Sequence, residues 1–360
     1  MLDGIRIIEI EGLGPAPFAA MMLAELGAEV IVIHRPGPAP QVTGEKSLLD
    51  RGKRSIILDL KTPEGVETAR ALIARADGVI EGFRPGVMER LGLGPKVFAE
   101  ENPRLVYGRM TGWGQTGPKS RMAGHDMNYL ATSGALHYAS APGDAPLPPP
   151  TLLGDIGGGA LYLVAGMLAG LLQAARTGRG TVVDAAIVDG AAHMMTLLMA
   201  LQGSGNLSER RGHSLLDGPH WSRTYRCAGG GYLSVQALEP QFYATFLRLA
   251  GLEGDPLFES QYDPAQWPAQ TERLAAHLGA QPLSHWAKIF EGSDACAAPV
   301  LSPWEAMEDA HMQARGIWSE GDMGLAPAPA PRFNGATRRV SPPPARGADT
   351  EAILAQLREG

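Results

Sequence analysis

GIRIIEIEGLGPAPFAAMMLAELGAEVIVIHR, residues 4 to 35, decides the fold. Ile5 to Ile10 is a run of β-branched residues, Glu11 to Pro17 is a Gly/Pro turn, Phe18 to Leu26 has helical spacing, and Glu29 to Ile33 is a second apolar run. That order predicts a strand, a helix and a second strand parallel to the first. The pattern recurs as strand Ser55 to Leu60, helix Pro63 to Ala76 opened by Pro at its first turn, strand Gly78 to Glu81, a short helix after Pro85, and strand Leu105 to Arg109. Strands alternating with helices give an α/β chain whose parallel sheet is doubly wound, covered on both faces.

After PLPPP at 146 to 150 the chain turns to long helical runs, 156 to 175 and about 190 to 202, separated by the strand-like TVVDAAIV. A polar, Gly-rich stretch, Gly203 to Pro219, leads to strand Tyr232 to Ala237 and amphipathic helices at Gln241 to Leu249, Gln270 to Leu278 and Ser284 to Phe290, a smaller α+β domain. The segment Ala326 to Arg346 is a proline-rich connector of polyproline character, and Asp349 to Leu357 forms a last helix.

At 360 residues and 44% hydrophobic, the chain can bury a sizeable core. A net charge of −7, with no basic run longer than RGKR at 51 to 54, argues against generic nucleic acid binding. Two cysteines without CxxC spacing support neither a disulfide framework nor a cysteine zinc site, and no histidine stands at a metal-ligand spacing. Acidic residues inside the first apolar stretch are unlike a signal peptide, so a cytoplasmic protein is expected. Ile156 to Ala175 is twenty residues without a charge, long enough to span a bilayer. Its five glycines and the flanking Asp155 and Arg176 favour a buried helix, and no membrane partner is expected.

The first turn imitates GxGxxG with Gly12 and Gly14 but has Pro17 in the third place, and the second strand ends in His34-Arg35, where a nicotinamide cofactor needs an acid for its ribose. A nicotinamide dinucleotide is therefore disfavoured. A guanidinium there suits a ribose phosphate, through paired charge-assisted hydrogen bonds, or is an ordinary surface charge. Lys61, Arg84 and Arg90 also follow predicted strand ends, where open α/β sheets bind ligands. Together with Arg35 they point to a nucleotide polyphosphate.

His125 stands in GHDMNY, a polar turn leading into YLATSGALHYA, so the amides of Asp126 and Met127 lie at a helix start with free N–H groups. Asp155, in GDIGGG, reads either as the N-cap of the next apolar helix or as a group facing His125 across a small substrate.

The first block above, with IILDLKTPEG, ADGVIEGFRPGVMERLGLGP, RMTGWGQTGP, GHDMNY, GDIGGG and SDACAAPVLSPWEAMEDAHMQARG, resembles the alpha-methylacyl-CoA racemases of the family III CoA-transferase superfamily over nearly the whole chain. The resemblance implies the family III CoA-transferase fold in an interlocked homodimer. Its large Rossmann-like CoA-binding domain would comprise residues 1–202 and 326–360, and its linker and small domain residues 203–325. It also implies His125 and Asp155 as an acid/base pair, Glu239 as a carboxylate near the histidine, and no cofactor or metal, the acyl-CoA being the substrate. CoA contacts would fall on Arg35, Leu58, Asp59, Leu60, Lys61, Gly82, Phe83, Arg84, Arg90, Gly124, Met127, Asn128 and Tyr129.

The rival reading is a family III CoA-transferase with Asp155 as nucleophile; a non-catalytic CoA-ester binder is the third. Against transfer, the His125 turn has no use in acyl transfer, and Gly229-Gly230-Gly231 reads as a turn, not as a loop that closes over an intermediate. Racemisation of a 2-methylacyl-CoA removes the proton beside the thioester carbonyl, returns one to the opposite face, and needs stabilisation of the enolate oxygen, here assigned to the Asp126 N–H. A histidine with reference pKa near 6.5 and an aspartate near 3.9 share that work only if burial raises the aspartate. Met194, Met195 and Met199, with Leu197 and Leu198, read as core packing or as an adaptable acyl-chain surface.

Overall fold

The computed structural model describes residues 1–39, 41 and 44–359. Strand β1 (Arg6–Ile10) sends alternate side chains to two separate cores, Ile7 to one and Ile8 and Ile10 to the other. The strands β2 (Glu29–His34), β3 (Arg54–Ile57), β4 (Gly78–Glu81), β5 (Val106–Thr111) and β6 (Thr181–Ala186) join it in one parallel sheet. Among the described residues the order is β3-β2-β1-β4-β5-β6, so the strand sequence reverses between β1 and β4.

One face is covered by α1 (Pro15–Glu25), whose Ala16, Ala19, Ala20 and Leu23 enter the core of Ile7 and Val30. The opposite face is covered by α2 (Pro63–Ala74), α3 (Val87–Arg90) and α4 (Pro95–Glu101), through Leu72, Ile73, Met88 and Phe98. After β5 the chain forms α5 (Asp126–Ser133), stopped at Gly134 with φ 89°, then a π-helical stretch, Leu152–Ala160, that continues as α6 (Leu161–Thr177) on the first face. The helix α7 (Ile187–Met194) follows β6 directly.

Helix α6 lies close against the sheet because β4 and β5 offer glycines beneath it. A Cβ at Gly108 would stand 2.8 Å from the Met167 sulfur, and one at Gly78 2.8 Å from its methyl carbon. The run Leu152–Thr177 is long and apolar enough to cross a membrane by length and composition alone, with mean hydropathy 1.6. One side of it, Leu163, Val164, Met167 and Leu171, belongs to the core, while Leu161 and Leu172 are exposed.

Contacts divide the chain into two units, 1–136 with 148–195 and 319–360, and 137–147 with 196–318. These boundaries differ from 202/203 and 325/326, and the added piece has a local cause. Within the second unit, Tyr138 donates to the Ser208 carbonyl, and Arg211 donates to the carbonyls of Ala139, Ser140, Ala141 and Asp144. The second unit contains α8 (Thr196–Met199) and, among its described residues, an antiparallel sheet of β7 (Ser222–Arg226), β8 (Tyr232–Gln236) and β9 (Ala297–Pro299). Helices α9 (Pro240–Leu249), α10 (Trp267–Leu278) and α11 (Leu283–Phe290) pack on a core of Trp221, Leu233, Phe246, Leu274 and Trp286. Short helices α12 (Pro303–Glu308) and α13 (Ala310–Ala314) follow. Back in the first unit, α14 (Thr350–Glu359) puts Ile353 into the second-face core, and Asp349 caps the edge strand: Ser55 N–H donates to its carboxylate, and its own N–H to the Ser55 carbonyl.

Several elements differ from the sequence expectations. The third strand stops at Ile57, so residues 58 to 61 form a turn instead of its last residues. Ile187 and Val188 begin a helix instead of ending a strand, because Ala186 (ψ 132°) caps α7. The run expected at 190 to 202 breaks into α7, α8 and a 3-10 turn, Ala200–Ser204.

Met167, on the sheet-facing side of α6, is fully buried. Met167→Ala is expected to destabilise the chain by about 2–5 kcal/mol, the range for emptying a buried site of this size. Denaturant midpoints measure it, and a loss under about 1 kcal/mol would mean the glycine floor lets the helix collapse onto the sheet.

Candidate active site

The carboxyl ends of all six sheet strands open into one cavity of about 880 Å³, lined by residues of the first unit. Ile10 to Ala16 line it after β1, Arg35 after β2, Leu58 to Lys61 after β3, Gly82 and Phe83 after β4, Met110 to Gly112 at β5 and Ile187 after β6. His125, Tyr129, Thr151 and Asp155 close it on one side. A doubly wound sheet is expected to hold its ligand here, where strand order reverses.

His125 is the N-cap of α5, extended at φ −138°, ψ 175°, and its backbone N–H donates to Asn128 Oδ1 at 3.0 Å. The N–H groups of Asp126 and Met127 follow, without intrahelical acceptors. The Asp126 carboxylate turns away from that helix end and accepts the Asp155 backbone N–H at 2.8 Å, tying the two helix starts together. Glycine before Asp155 makes room for this contact, since a Cβ at Gly154 would stand 2.3 Å from that carboxylate oxygen and displace it.

Asp155 lies in the first turn of the π-helical stretch and is not its N-cap, a place held by Thr151 in the left-handed region at φ 61°. Its side chain is thereby free of capping and faces Gly14, 3.6 Å from where a Cβ would be. Burial pushes the Asp155 carboxyl up to about 6; the Asp126 carboxylate adds to the rise and His125 opposes it. Tyr129 donates its hydroxyl to the Gly124 carbonyl. Its ring meets Trp113 edge-on at 4.8 Å and lies so close to Gly112 that a Cβ there would overlap it. Burial, then the Asp155 charge, raises the Tyr129 phenol, against the pull of Arg84.

Of the cations, Lys61 is exposed in the turn after β3, held by its backbone N–H to Asp59 Oδ1 at 3.0 Å. Arg84 and Arg90 are exposed on the turn after β4 and at the end of α3, and among the described residues Lys61, Arg84 and Arg90 form no ion pair within 4.0 Å. Arg84, Arg90, Gly124, Asp126, Met127 and Asn128 flank the cavity without lining it. Glu239 belongs to the second unit, where it precedes Pro240 at the start of α9. Leu197 and Met199 are exposed, 78% and 37%, and serve no core. Among the described residues no group of His, Cys, Asp and Glu is arranged to hold a metal ion.

Three carboxylates at the site have no role in the sequence reading. Glu11 accepts both the Arg35 backbone N–H at 2.9 Å and Arg346 Nη1 at 2.5 Å. Buried Glu81 sits under the Gly82-Phe83 turn, accepting the Phe83 N–H at 2.7 Å and Arg109 Nε at 2.9 Å; burial raises its carboxyl to about 6. The Asp126 carboxylate had a cue in the Gly before Asp155, but its partner lies 29 residues away.

The chain matches CoA-transferase family III over residues 2–350. It is 43% identical to the mouse (Mus musculus) alpha-methylacyl-CoA racemase over 92% of this chain and 86% of that protein, and 41% identical to the human (Homo sapiens) one over 99% and 93%. A CaiB/BaiF family protein from Brucella suis superposes with a TM-score of 0.80 at 28% identity, covering 99% of each chain. With a family match spanning nearly the whole sequence and the cavity at its strand ends, the chain belongs to CoA-transferase family III.

Proposed function

We propose that this protein is an alpha-methylacyl-CoA racemase, interconverting (2R)- and (2S)-2-methylacyl-CoA thioesters by 1,1-proton transfer through an enolate. The observation that carries the reading is a histidine and a carboxyl raised to about 6 lining one cavity at the strand ends. Such a carboxyl exists in both protonation states near neutral pH, as a group that alternately takes and returns a proton must. His125 and Asp155 act from opposite faces of the α-carbon: one removes its proton, the electron pair moves onto the thioester oxygen, and the other delivers a proton to the far face. The Asp126 N–H at the start of α5 donates to the enolate oxygen, a contribution of about 2.7–4 kcal/mol for one such donor. Arg35, Lys61, Arg84 and Arg90 hold the phosphates of CoA. No metal or nicotinamide takes part.

The working form is an interlocked homodimer. Support comes from the exposed apolar side chains Leu161 and Leu172 on α6 and Val182 on the edge strand β6. Sedimentation at micromolar concentration is expected to give twice the chain mass; a monomer would remove this part of the proposal.

Proton NMR of a single 2-methylacyl-CoA epimer in deuterated water is expected to lose the α-proton signal as the other epimer appears. His125→Ala and Asp155→Ala are each expected to abolish racemisation while retaining CoA-ester binding. If CoA instead moved to an added carboxylic acid, Asp155 would be a nucleophile and the protein a transferase. In the direction where Asp155 must be ionised to take the proton, turnover falls as acidity protonates it, so the acid limb is expected near pH 6. A limb near pH 4, the ordinary aspartate range, would mean that burial does not raise Asp155 and that it cannot share the acid/base work with His125 near neutral pH.

A further inference from the structure

Arg35 follows β2, and both polar groups of its peptide are held by side chains outside that strand. Its N–H donates to Glu11 Oε2 at 2.9 Å, and its carbonyl accepts from Arg346 Nη2 at 2.9 Å. Arg346 Nη1 donates to Glu11 Oε1 at 2.5 Å, which closes the ring. The Arg346 and Glu11 side chains are 9% and 14% exposed, whereas the Arg35 side chain is 65% exposed with its Nε 3.9 Å from Glu11. Arg346 thus commits both its Nη nitrogens, one to a neighbour's backbone carbonyl and one to a carboxylate. Glu11 lines both the large cavity and a smaller one behind it that Arg346 also lines, so the clamp forms a wall between them.

We propose that Glu11 and Arg346 are positioning residues for the phosphorylated adenosine half of a CoA thioester, fixing the Arg35 backbone so that its guanidinium points at a phosphate. The inference rests on the CoA-thioester reading above. A long arginine side chain loses substantial rotamer entropy when it grips a ligand, and anchoring its main chain at two points lowers that loss. Cutting such ordering costs strengthens binding without adding a contact. Arg346 reaches Arg35 across 311 residues of sequence, so the C-terminal segment takes part in nucleotide recognition without touching the nucleotide.

The experiment compares a 2-methylacyl-CoA with the same acyl group on pantetheine, which lacks the phosphorylated adenosine. Arg346→Met and the milder Glu11→Gln are expected to raise KM for the CoA ester about tenfold, the scale of one weakened charge-assisted contact. Their kcat on the CoA ester and KM for the pantetheine ester are expected to stay within about twofold of the parent. Arg35→Ala is expected to raise the CoA-ester KM as well, and adding Arg346→Met to it to raise KM no further, since the two act through one contact. Equal losses on both esters, or KM increases that multiply in the double variant, would overturn the positioning role. Failure of the parent protein to racemise either ester would instead defeat the reading of the reaction itself.

Discussion

The reversal of strand order between β1 and β4 is the constraint on which the site depends. These two strands are hydrogen-bonded neighbours, yet α1 carries the chain after β1 to one face while α3 and α4 carry it after β4 to the other. The two carboxyl-end turns must therefore part, and the gap between Gly12–Ala16 and Gly82–Phe83 becomes the mouth of the cavity. The remaining strands widen it into a rim: β2 and β3 bring Arg35 and Lys61, and β5 and the helix starts beyond it bring Tyr129, His125 and Asp155. Polar side chains placed on turns this way need no desolvated backbone of their own, because the sheet behind them satisfies it.

Charge is sorted by the same geometry. Lys53, Arg51, Arg109 and Arg346 are buried or nearly so, and each meets a carboxylate: Glu9, Glu25, Glu81 and Glu11. Burying a cation without such a partner costs several kcal/mol, so these arginines and this lysine are committed to the fold. Lys61, Arg84 and Arg90 are exposed at strand ends and uncommitted, which leaves them available to an anion although the chain as a whole carries −7. Net charge alone argues against a polyanionic ligand, whereas the positions of these cations are compatible with one.

The parallel sheet was legible because its strands include short β-branched runs and α2 opens with Pro63, both signals that act within a few residues. Gly78 to Glu81 coincides with β4, and Tyr232 to Ala237 overruns β8 by one residue. Legibility failed where a partner far along the chain decides the outcome. The third strand was read through Leu60, yet its register partners on β2 end at His34 opposite Ile57, so pairing ceases and a turn begins. The segment 137–147 begins inside the helical-looking YLATSGALHYA and falls within residues 1–202 in the sequence reading, whereas its bonds to Ser208 and Arg211 tie it to the second unit. Glu11 and Arg346 are ordinary charged residues in any local window, and their 335-residue separation hides the clamp.

Asp155 shows why residue type and spacing narrow the chemistry without deciding it. A carboxylate in the first turn of a helical segment is normally stabilised in its ionised form by the free N–H groups there, which suits a nucleophile or a plain cap. Here Thr151 takes the capping position, and the Asp155 backbone N–H is satisfied by another acid, Asp126. The carboxyl is therefore buried beside a like charge, and burial is the larger of the two effects that raise it. A carboxylate meant to attack a thioester gains from ready ionisation, whereas one that must be refilled with a proton in every second turnover gains from a pKa near the working pH. The Gly154–Asp126 contact, which a side chain at 154 would displace, brings the second acid into place. Through it the backbone arrangement of two glycine-lined turns holds the Asp155 carboxyl beside a second acid, which adds to the rise that burial causes.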